Sequence, residues 1–146
     1  MLQALQLIAT LAATLFAGAA LYINVAEHPS RRALETRAAA LQWALSYKRA
    51  TLLQAPLALL SLVSGTAAWL LGADVGWFVA ALFIGAVVPF TFLVVMSTNR
   101  KLLDPARDLA SAETRSLLEK WNKLHAVRTV LSFAASILYV WLLQKP

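Results

Sequence analysis

The chain has 146 residues, of which 60% are hydrophobic and 14% are charged, and its mean hydropathy is +0.68. A soluble domain has about a quarter of its residues charged, so this composition excludes an ordinary soluble protein. The chain has no cysteine, which excludes disulfides, thiolate metal sites, iron–sulfur clusters and a thiol redox relay. Its length allows one domain.

Four apolar segments follow one another along the chain, at residues 5–25, 50–71, 75–96 and 124–143. As a helix, each is long enough to cross a hydrocarbon core of ~30 Å. Because lipid offers the backbone no hydrogen-bond partners, membrane-spanning segments of this kind must be helices. The predicted fold is therefore an all-α, integral membrane four-helix bundle, formed by a single domain over residues 1–146.

Positive charge is concentrated on one side of the predicted membrane. Twelve of the thirteen Lys and Arg residues lie in or next to residues 26–49 and 97–123, which connect segments one and two and segments three and four. By the positive-inside rule, both connections are cytoplasmic and both termini lie outside, as in a bacterial inner membrane. This distribution also argues against a nucleic-acid partner, although the net charge is +6. Anionic lipid headgroups are compatible partners.

The two cytoplasmic connections have helical features of their own. Pro29 suits the first turn of a helix, so the second helix is predicted to begin near Ser30 and run into the membrane. Asp104 and Pro105 suit the N-cap and first position of a helix that leads into segment four. We therefore expect amphipathic helical extensions on the cytoplasmic side that cover the mouth of the bundle. The alternative is that they lie flat on the membrane surface.

Polar and ionisable residues are predicted to meet at this cytoplasmic mouth. They come from all four helices: Asn24, Glu27, His28, Gln54, Asn99, His125 and Arg128. Asn24, Glu27 and His28 share one helix face through their i, i+3, i+4 spacing. Ionisable residues at membrane depth are expensive to place and indicate a functional site. A purely structural ion pair between Glu27 and Arg128 is the alternative.

Two chemistries fit this cluster. In the first, His125 or His28 acts as a general base near neutral pH and is oriented by Glu27, while Arg128 stabilises an anion. In the second, His28, His125 and Glu27 bind iron, zinc or copper as a two-histidine, one-carboxylate site. Adjacent helical residues point about 100° apart, so this metal site requires a broken helix, which Pro29 would permit.

Three runs of sequence contain most of these residues. They are residues 18–29 (GAALYINVAEHP), residues 89–102, which begin Pro-Phe-Thr and end Asn-Arg-Lys-Leu, and residues 121–128 (WNKLHAVR). In this order they resemble the anthrone oxygenase-like family of small four-helix membrane proteins. The Glu-His-Pro run and the Trp-x-x-x-His-x-x-Arg run are the more specific. Most members of this family have no established activity.

The resemblance implies oxidation of a polyketide anthrone to an anthraquinone by dioxygen, with no cofactor required. His125 or His28 would remove a proton from the anthrone methylene, whose aromatic anion would pass an electron to dioxygen. Arg128, with Asn24 or Asn99, would hold the oxyanion. The apolar aromatic substrate would enter sideways from the bilayer, and its remaining binding candidates are Tyr22, Gln54, Phe92 and Trp121.

Other classes of function compete with this one. The chain is also compatible with a membrane protein that binds a lipid, a quinone or a metal without turnover. The Ala- and Leu-rich composition and the absence of a second acid–base pair favour that interpretation. A purely structural subunit is the third possibility. Small residues on the helix faces would allow a homodimer, although no face stands out as its interface.

Overall fold

The computed structural model describes residues 1–145, and within them every regular element is helical. Four helices are long and apolar enough to cross a membrane: α1 (Leu2–Arg32), α2 (Thr36–Leu70), α3 (Gly76–Leu102) and α4 (Ala112–Leu143). Their outer faces expose many large apolar side chains, which suits contact with lipid. The prediction of an all-α four-helix membrane bundle is confirmed.

The helices pack in the cyclic order α1–α2–α3–α4, and α4 closes the ring against α1. Three short connections, at residues 33–35, 71–75 and 103–111, make sequential helices antiparallel. The helices extend well beyond the four apolar segments, because most of residues 26–49 and 97–123 is helical. We call the end formed by connections 33–35 and 103–111 the basic end.

The start of the second helix differs from the prediction. Pro29 lies inside α1, which continues to Arg32, and α2 begins at Thr36 rather than near Ser30. Arg115 of α4 holds the turn between them, since its guanidinium donates to the carbonyl of Leu34 at 2.6 Å. Basic side chains stabilise helix C-termini by binding carbonyls that have no partner within the helix. The turn is therefore fixed from across the bundle.

The start of the fourth helix also differs from the prediction. Asp104 caps a local turn, in which its carboxylate accepts the backbone N–H of Ala106 at 2.9 Å. The helix begins only after Ser111, whose hydroxyl accepts the backbone N–H of Thr114 at 3.2 Å. Aspartate side chains commonly bond to the backbone two residues ahead, which favours a turn at Asp104 over a helix. Ser111 is the N-cap.

Two π-helical turns interrupt the regular α geometry, at Ile23–Glu27 in α1 and Thr91–Val95 in α3. Each lies two residues from a proline, Pro29 after the first and Pro89 before the second. Proline removes one backbone donor and crowds the preceding turn, so a wider turn nearby absorbs the mismatch. π turns inside α-helices occur frequently at functional sites.

The helical extensions pack into the bundle rather than lying flat beside it. At the basic end, α2 contributes Trp43 and α4 contributes Leu118 and Trp121 to one buried cluster. Further along the bundle, small residues let the helices approach closely, and they include Ala9, Ala13, Ala68 and Ala80, all fully buried. Close packing of small residues is the usual way in which membrane helices associate.

Gly65 lies at one of these close helix contacts, where it faces Tyr139. A Cβ atom at this position would lie 2.9 Å from Cζ of Tyr139 and closer still to its hydroxyl. We expect Gly65→Ala to lower the free energy of unfolding by ~1–3 kcal/mol, because overpacking displaces Tyr139. Denaturant or thermal unfolding in detergent, followed by circular dichroism, measures the change.

Gly18→Ala is the matched control, since a Cβ there meets nothing within 4 Å. That variant should be neutral or slightly stabilising, as alanine is the better helix former. Equal stabilities for the two alanine variants would contradict the packing argument.

Candidate functional site at the basic end

Buried polar side chains gather within a few turns of the basic end. They come from every helix and include His28, Gln54, Thr98, Asn99, His125 and Thr129. Polar groups in an apolar bundle must bond to one another, since lipid cannot satisfy them. The sequence prediction that these helices bring polar residues to one end agrees with this placement.

Asn24, in the π turn of α1, joins α1 to α4. Its Nδ2 donates to the side-chain oxygen of Asn122 at 2.7 Å and to the Asn122 backbone carbonyl at 3.2 Å. Its Oδ1 accepts the hydroxyl of Thr129 at 2.6 Å and lies 3.1 Å from Nδ1 of His125. The amide orientation follows from the backbone carbonyl, which can only accept.

This bond fixes the tautomer of His125. Because Oδ1 of Asn24 can only accept, Nδ1 of His125 carries the proton, and Nε2 is the basic nitrogen. The ring also stacks on Trp121, with centroids 4.8 Å apart. His125 is therefore held in one place and in one protonation pattern. Trp121 is itself buried and serves as the support for that ring.

His28 is the second buried histidine. Its Nε2 is 3.7 Å from Oε2 of Glu119, whose other oxygen bonds to Nε of Arg32 at 3.0 Å. Among residues 1–145, neither ring nitrogen of His28 has a hydrogen-bond partner. The carboxylate nearest to this histidine is thus Glu119 of α4, which sequence reasoning did not select.

Glu27 faces away from both histidines. Its carboxylate pairs with Arg31 one turn ahead at 2.7 Å and also accepts from Gln42 and Ser46 of α2. Arg31 is only 2% exposed and also bonds to Gln42. Glu27 therefore neutralises a buried arginine. The predicted pairing of Glu27 with Arg128, and its role in orienting a histidine, do not match this geometry.

The metal-binding alternative finds no support in the geometry. His28 points to Glu119, His125 points to Asn24, and Glu27 points to α2. Within the described part of the chain, no group of three or more His, Asp or Glu side chains is arranged to hold a metal ion. The π turn leaves the helix continuous at Glu27 and His28, so the break that the shared site requires does not occur.

A cavity of about 120 Å³ lies beside this polar cluster, with walls from all four helices. Its lining is mostly apolar, and the polar lining residues are Tyr47, Thr51, Thr91 and Arg128. Thr51 and Ala55 of α2 and Phe92 of α3 are exposed on the outer surface. The cavity therefore opens sideways between α2 and α3, at what we call the α2–α3 opening.

Arg128 brings a positive charge to this cavity. Its Nη2 donates to Oε1 of Gln54 at 2.8 Å, and its guanidinium lies 5.6 Å from the ring of Phe16. Its Nε has no hydrogen-bond partner among the described residues, and no carboxylate there pairs with the guanidinium. An arginine without a counter-ion in an apolar cavity is suited to binding an anion.

The remaining predicted residues are divided between the cavity and other surroundings. Phe92 lines the cavity, and Gln54 reaches it through Arg128. Asn99 is buried and donates to the hydroxyl of Tyr47 at 3.2 Å. Tyr22 is 61% exposed on the outside of α1 and does not line the cavity. The structure therefore separates Tyr22 from the other candidates.

Sequence reasoning missed several residues of the site. Arg31 and Glu27 are spaced i, i+4, which is a recognisable pairing signal within one helix. Glu119, Asn122 and Thr129 depend on contacts between helices, and their spacing along the chain carries no comparable signal. Tyr47 precedes Thr51 and Gln54 at helical spacing, which places it on the polar face of α2 but does not indicate a role in the site.

Comparison with known proteins adds an independent observation. A family model described as "Anthrone oxygenase" matches residues 43–138. The chain is 37% identical over 70 residues to anthrone oxygenase tpcL of Aspergillus fumigatus, an alignment that covers 46% of this chain and 44% of that protein. The chain thus aligns with less than half the length of this relative. No solved structure matches the chain.

The buried pair of Glu27 and Arg31 has a testable effect on stability. Glu27→Ala leaves a buried arginine without its carboxylate, so we expect the free energy of unfolding to fall by about 3 kcal/mol. Adding Arg31→Met should recover more than half of that loss, because the unpaired charge is removed. Chemical denaturation in detergent measures both changes.

Glu113→Ala is the control. Glu113 is 70% exposed and pairs with Arg107 at 3.5 Å, so its loss should change stability by less than about 1 kcal/mol. A Glu27 variant no weaker than the Glu113 variant would show that Arg31 does not need its partner.

Proposed function

Because this chain belongs to the anthrone oxygenase family, we propose that it is a membrane-embedded oxidoreductase that oxidises an apolar, flat aromatic substrate of the anthrone class with dioxygen. In this proposal the reaction takes place at the cavity beside the basic end. His125 is the base, and Arg128 stabilises the substrate oxyanion. The basic end faces the cytoplasm, as the positive-inside rule favours.

The observation that carries the proposal is the unpaired Arg128 in an apolar cavity. A cation in such surroundings is stabilised by any anion that enters, and an anthrone becomes an aromatic oxyanion when its methylene loses a proton. Arg128 would bind this anion more strongly than the neutral substrate. Preferential binding of the ionised form promotes ionisation.

His125 supports the proposal as the base. Its Nε2 is the basic nitrogen, because Asn24 holds the proton on Nδ1. His125 and Arg128 are three residues apart on α4, so they lie ~4.5 Å apart along the helix axis. A substrate held at Arg128 would thus have its methylene within about one helical turn of the base.

The proposed reaction is balanced without another oxidant. His125 takes one proton from the methylene, and the substrate anion passes one electron to dioxygen, giving a carbon radical and superoxide. These combine in a carbon–oxygen bond, and the protonated histidine returns its proton to the peroxide. Loss of the second methylene hydrogen and cleavage of the oxygen–oxygen bond leave a carbonyl and one water. Dioxygen is reduced, and the methylene is oxidised.

The lateral α2–α3 opening suits a substrate that is dissolved in the bilayer. Phe92 is 66% exposed at its edge and offers an aromatic face to a flat ring. Phe92 belongs to the π turn at Thr91–Val95, and π turns inside α-helices are frequent at functional sites. We infer that the reacting edge of the substrate enters the cavity while the rest of the ring stays near Phe92.

Binding without turnover is the second candidate function. The observation in its favour is that neither His125 nor His28 lines the cavity. An apolar cavity with one unpaired arginine would also hold an acidic quinone or an acidic lipid. In that case the protein would carry or present such a molecule rather than oxidise it.

Oxygen uptake tests the oxygenase proposal. With a hydroxylated anthrone and purified protein in nanodiscs, we expect uptake above the autoxidation of the anthrone, unchanged by chelator. His125→Ala should lower turnover by about 10²–10⁴-fold, because the general base is lost. Arg128→Gln should lower it by about 10²-fold, because the oxyanion loses a charged donor.

Arg37→Gln is the matched control, since Arg37 is exposed on α2 away from the cavity. It should leave uptake unchanged. Full uptake in a folded His125→Ala variant would eliminate that residue as the base. Absence of uptake together with tight binding of an anthraquinone would favour the binding function.

Substitution of Phe92 tests whether the substrate enters through the α2–α3 opening. Phe92→Ala removes an aromatic contact of ~1 kcal/mol, so KM should rise by about fivefold with little change in kcat. The comparison is Phe83→Ala, because Phe83 is also exposed on α3 but does not line the cavity. If both variants change KM equally, the α2–α3 opening is not the entrance.

A further inference from the structure

We propose that Tyr47 is a second anion-binding residue of this site and that Asn99 is its positioning residue. The Tyr47 hydroxyl and the Arg128 guanidinium would donate to one oxygen of the substrate. This inference rests on the proposed function and narrows its substrate to aromatic compounds with an ionisable oxygen, a phenol or an enol, conjugated to the reacting carbon.

Tyr47 and Arg128 line the same cavity from different helices. Tyr47 lies on α2 and Arg128 on α4, and the cavity between them is otherwise lined mostly by apolar residues. Two donors on separate walls can therefore approach the same bound oxygen. One arginine attracts an anion, whereas two fixed donors also determine where its oxygen lies.

The ring of Tyr47 is held in place by packing. It stacks on Trp43 with centroids 5.2 Å apart and planes 10° apart. Trp43 is fully buried and meets Trp121 edge to face, with centroids 5.7 Å apart. Trp121 in turn stacks on His125. The same row of aromatic rings therefore positions both the proposed base and the proposed phenol donor.

Asn99 orients the hydroxyl of Tyr47. Its Nδ2 donates to the Tyr47 oxygen at 3.2 Å, and its side chain is completely buried. A phenol has one hydrogen to donate. Since the Tyr47 oxygen accepts from Asn99, its own hydrogen points away from Asn99 and is available to the cavity. Asn99 does not line the cavity, so it acts through Tyr47.

This arrangement of two donors favours substrates that carry an ionisable oxygen. Two donors in apolar surroundings lower the free energy of a phenolate or enolate, which also makes the neighbouring methylene easier to deprotonate. A hydrocarbon or methyl ether of the same shape would leave both donors without a strong acceptor. Sites built to bond a substrate hydroxyl discriminate strongly against analogues that lack it.

A coloured probe tests the inference without turnover. The visible band of a hydroxyanthraquinone shifts when its phenol ionises, so a pH titration gives the ionisation midpoint of the bound probe. In wild-type nanodiscs this midpoint should lie below that in empty nanodiscs. Tyr47→Phe should raise it by about one pH unit, because one donor to the phenolate is lost.

Substitution of Asn99 tests whether this residue orients the Tyr47 hydroxyl or only packs against it. In Asn99→Asp, the carboxyl oxygens of the aspartate accept the hydrogen of Tyr47, so the midpoint should rise by a similar amount although the phenol is still present. Asn99→Leu removes the same bond without adding a charge, so the double variant Tyr47→Phe/Asn99→Leu should be no worse than Tyr47→Phe alone. Additive shifts in this pair would overturn the role assigned to Asn99.

Tyr139→Phe is the matched control, because Tyr139 belongs to a separate apolar cluster with Trp77. It should leave the midpoint unchanged. A wild-type midpoint in folded Tyr47→Phe protein would overturn the inference, whatever the uptake measurements show. Conversely, a midpoint that depends on Tyr47 and Arg128 in a protein without oxygen uptake would support the anion site and reject the oxygenase.

Discussion

The bonds of the Asn24 amide hold the polar end of this bundle together. This one side chain bonds to three residues of α4 and uses both its donor and its acceptor atoms. In a medium without water, a carboxamide with partners on one neighbouring helix fixes the rotation of both helices. The tautomer of His125 and the direction of its free nitrogen follow from that rotation. The π turn around Asn24 supplies the local geometry in which these bonds form.

The helices of the bundle pack in two different ways along its length. Away from the basic end, alanine and glycine bring the helix backbones together, and buried hydroxyls bond to backbone carbonyls of neighbouring helices, as Ser61 does to Ala9 at 2.9 Å. At the basic end, tryptophans and amides occupy the same layer, and each polar atom needs a partner of the right kind. Arg128 has an amide and an aromatic face as neighbours, and among the described residues no carboxylate pairs with it. In the proposed function, an anion that enters the cavity neutralises this charge.

Sequence alone predicted the number, order and type of the helices, because four apolar runs have a single physical solution in lipid. It also predicted that the histidines and amides lie at one end. It did not predict the partner of each side chain. The prediction that a helix begins at Pro29 was wrong because the widened turn before it cannot be recognised from spacing. Glu27 was assigned to the histidines, although Arg31 at i+4 offered a local partner. The rotation of α2 that brings Tyr47 into the cavity depends on three neighbouring helices at once.

The hydrogen bonds from Arg115 to the turn between α1 and α2 bear on the order in which the bundle assembles. This side chain belongs to α4, yet it binds carbonyls of Arg32 and Leu34 at the end of α1. Because Arg115 follows α1 and α2 in the chain, it is synthesised after both helices. Until α4 is present, the turn between α1 and α2 lacks its hydrogen bonds from Arg115, and Asn24 lacks its partners on α4. The first three helices nevertheless pack against one another in sequence, so those contacts do not depend on α4. Packing of α4 then supplies both the bonds to the turn and the partners of Asn24, which include His125.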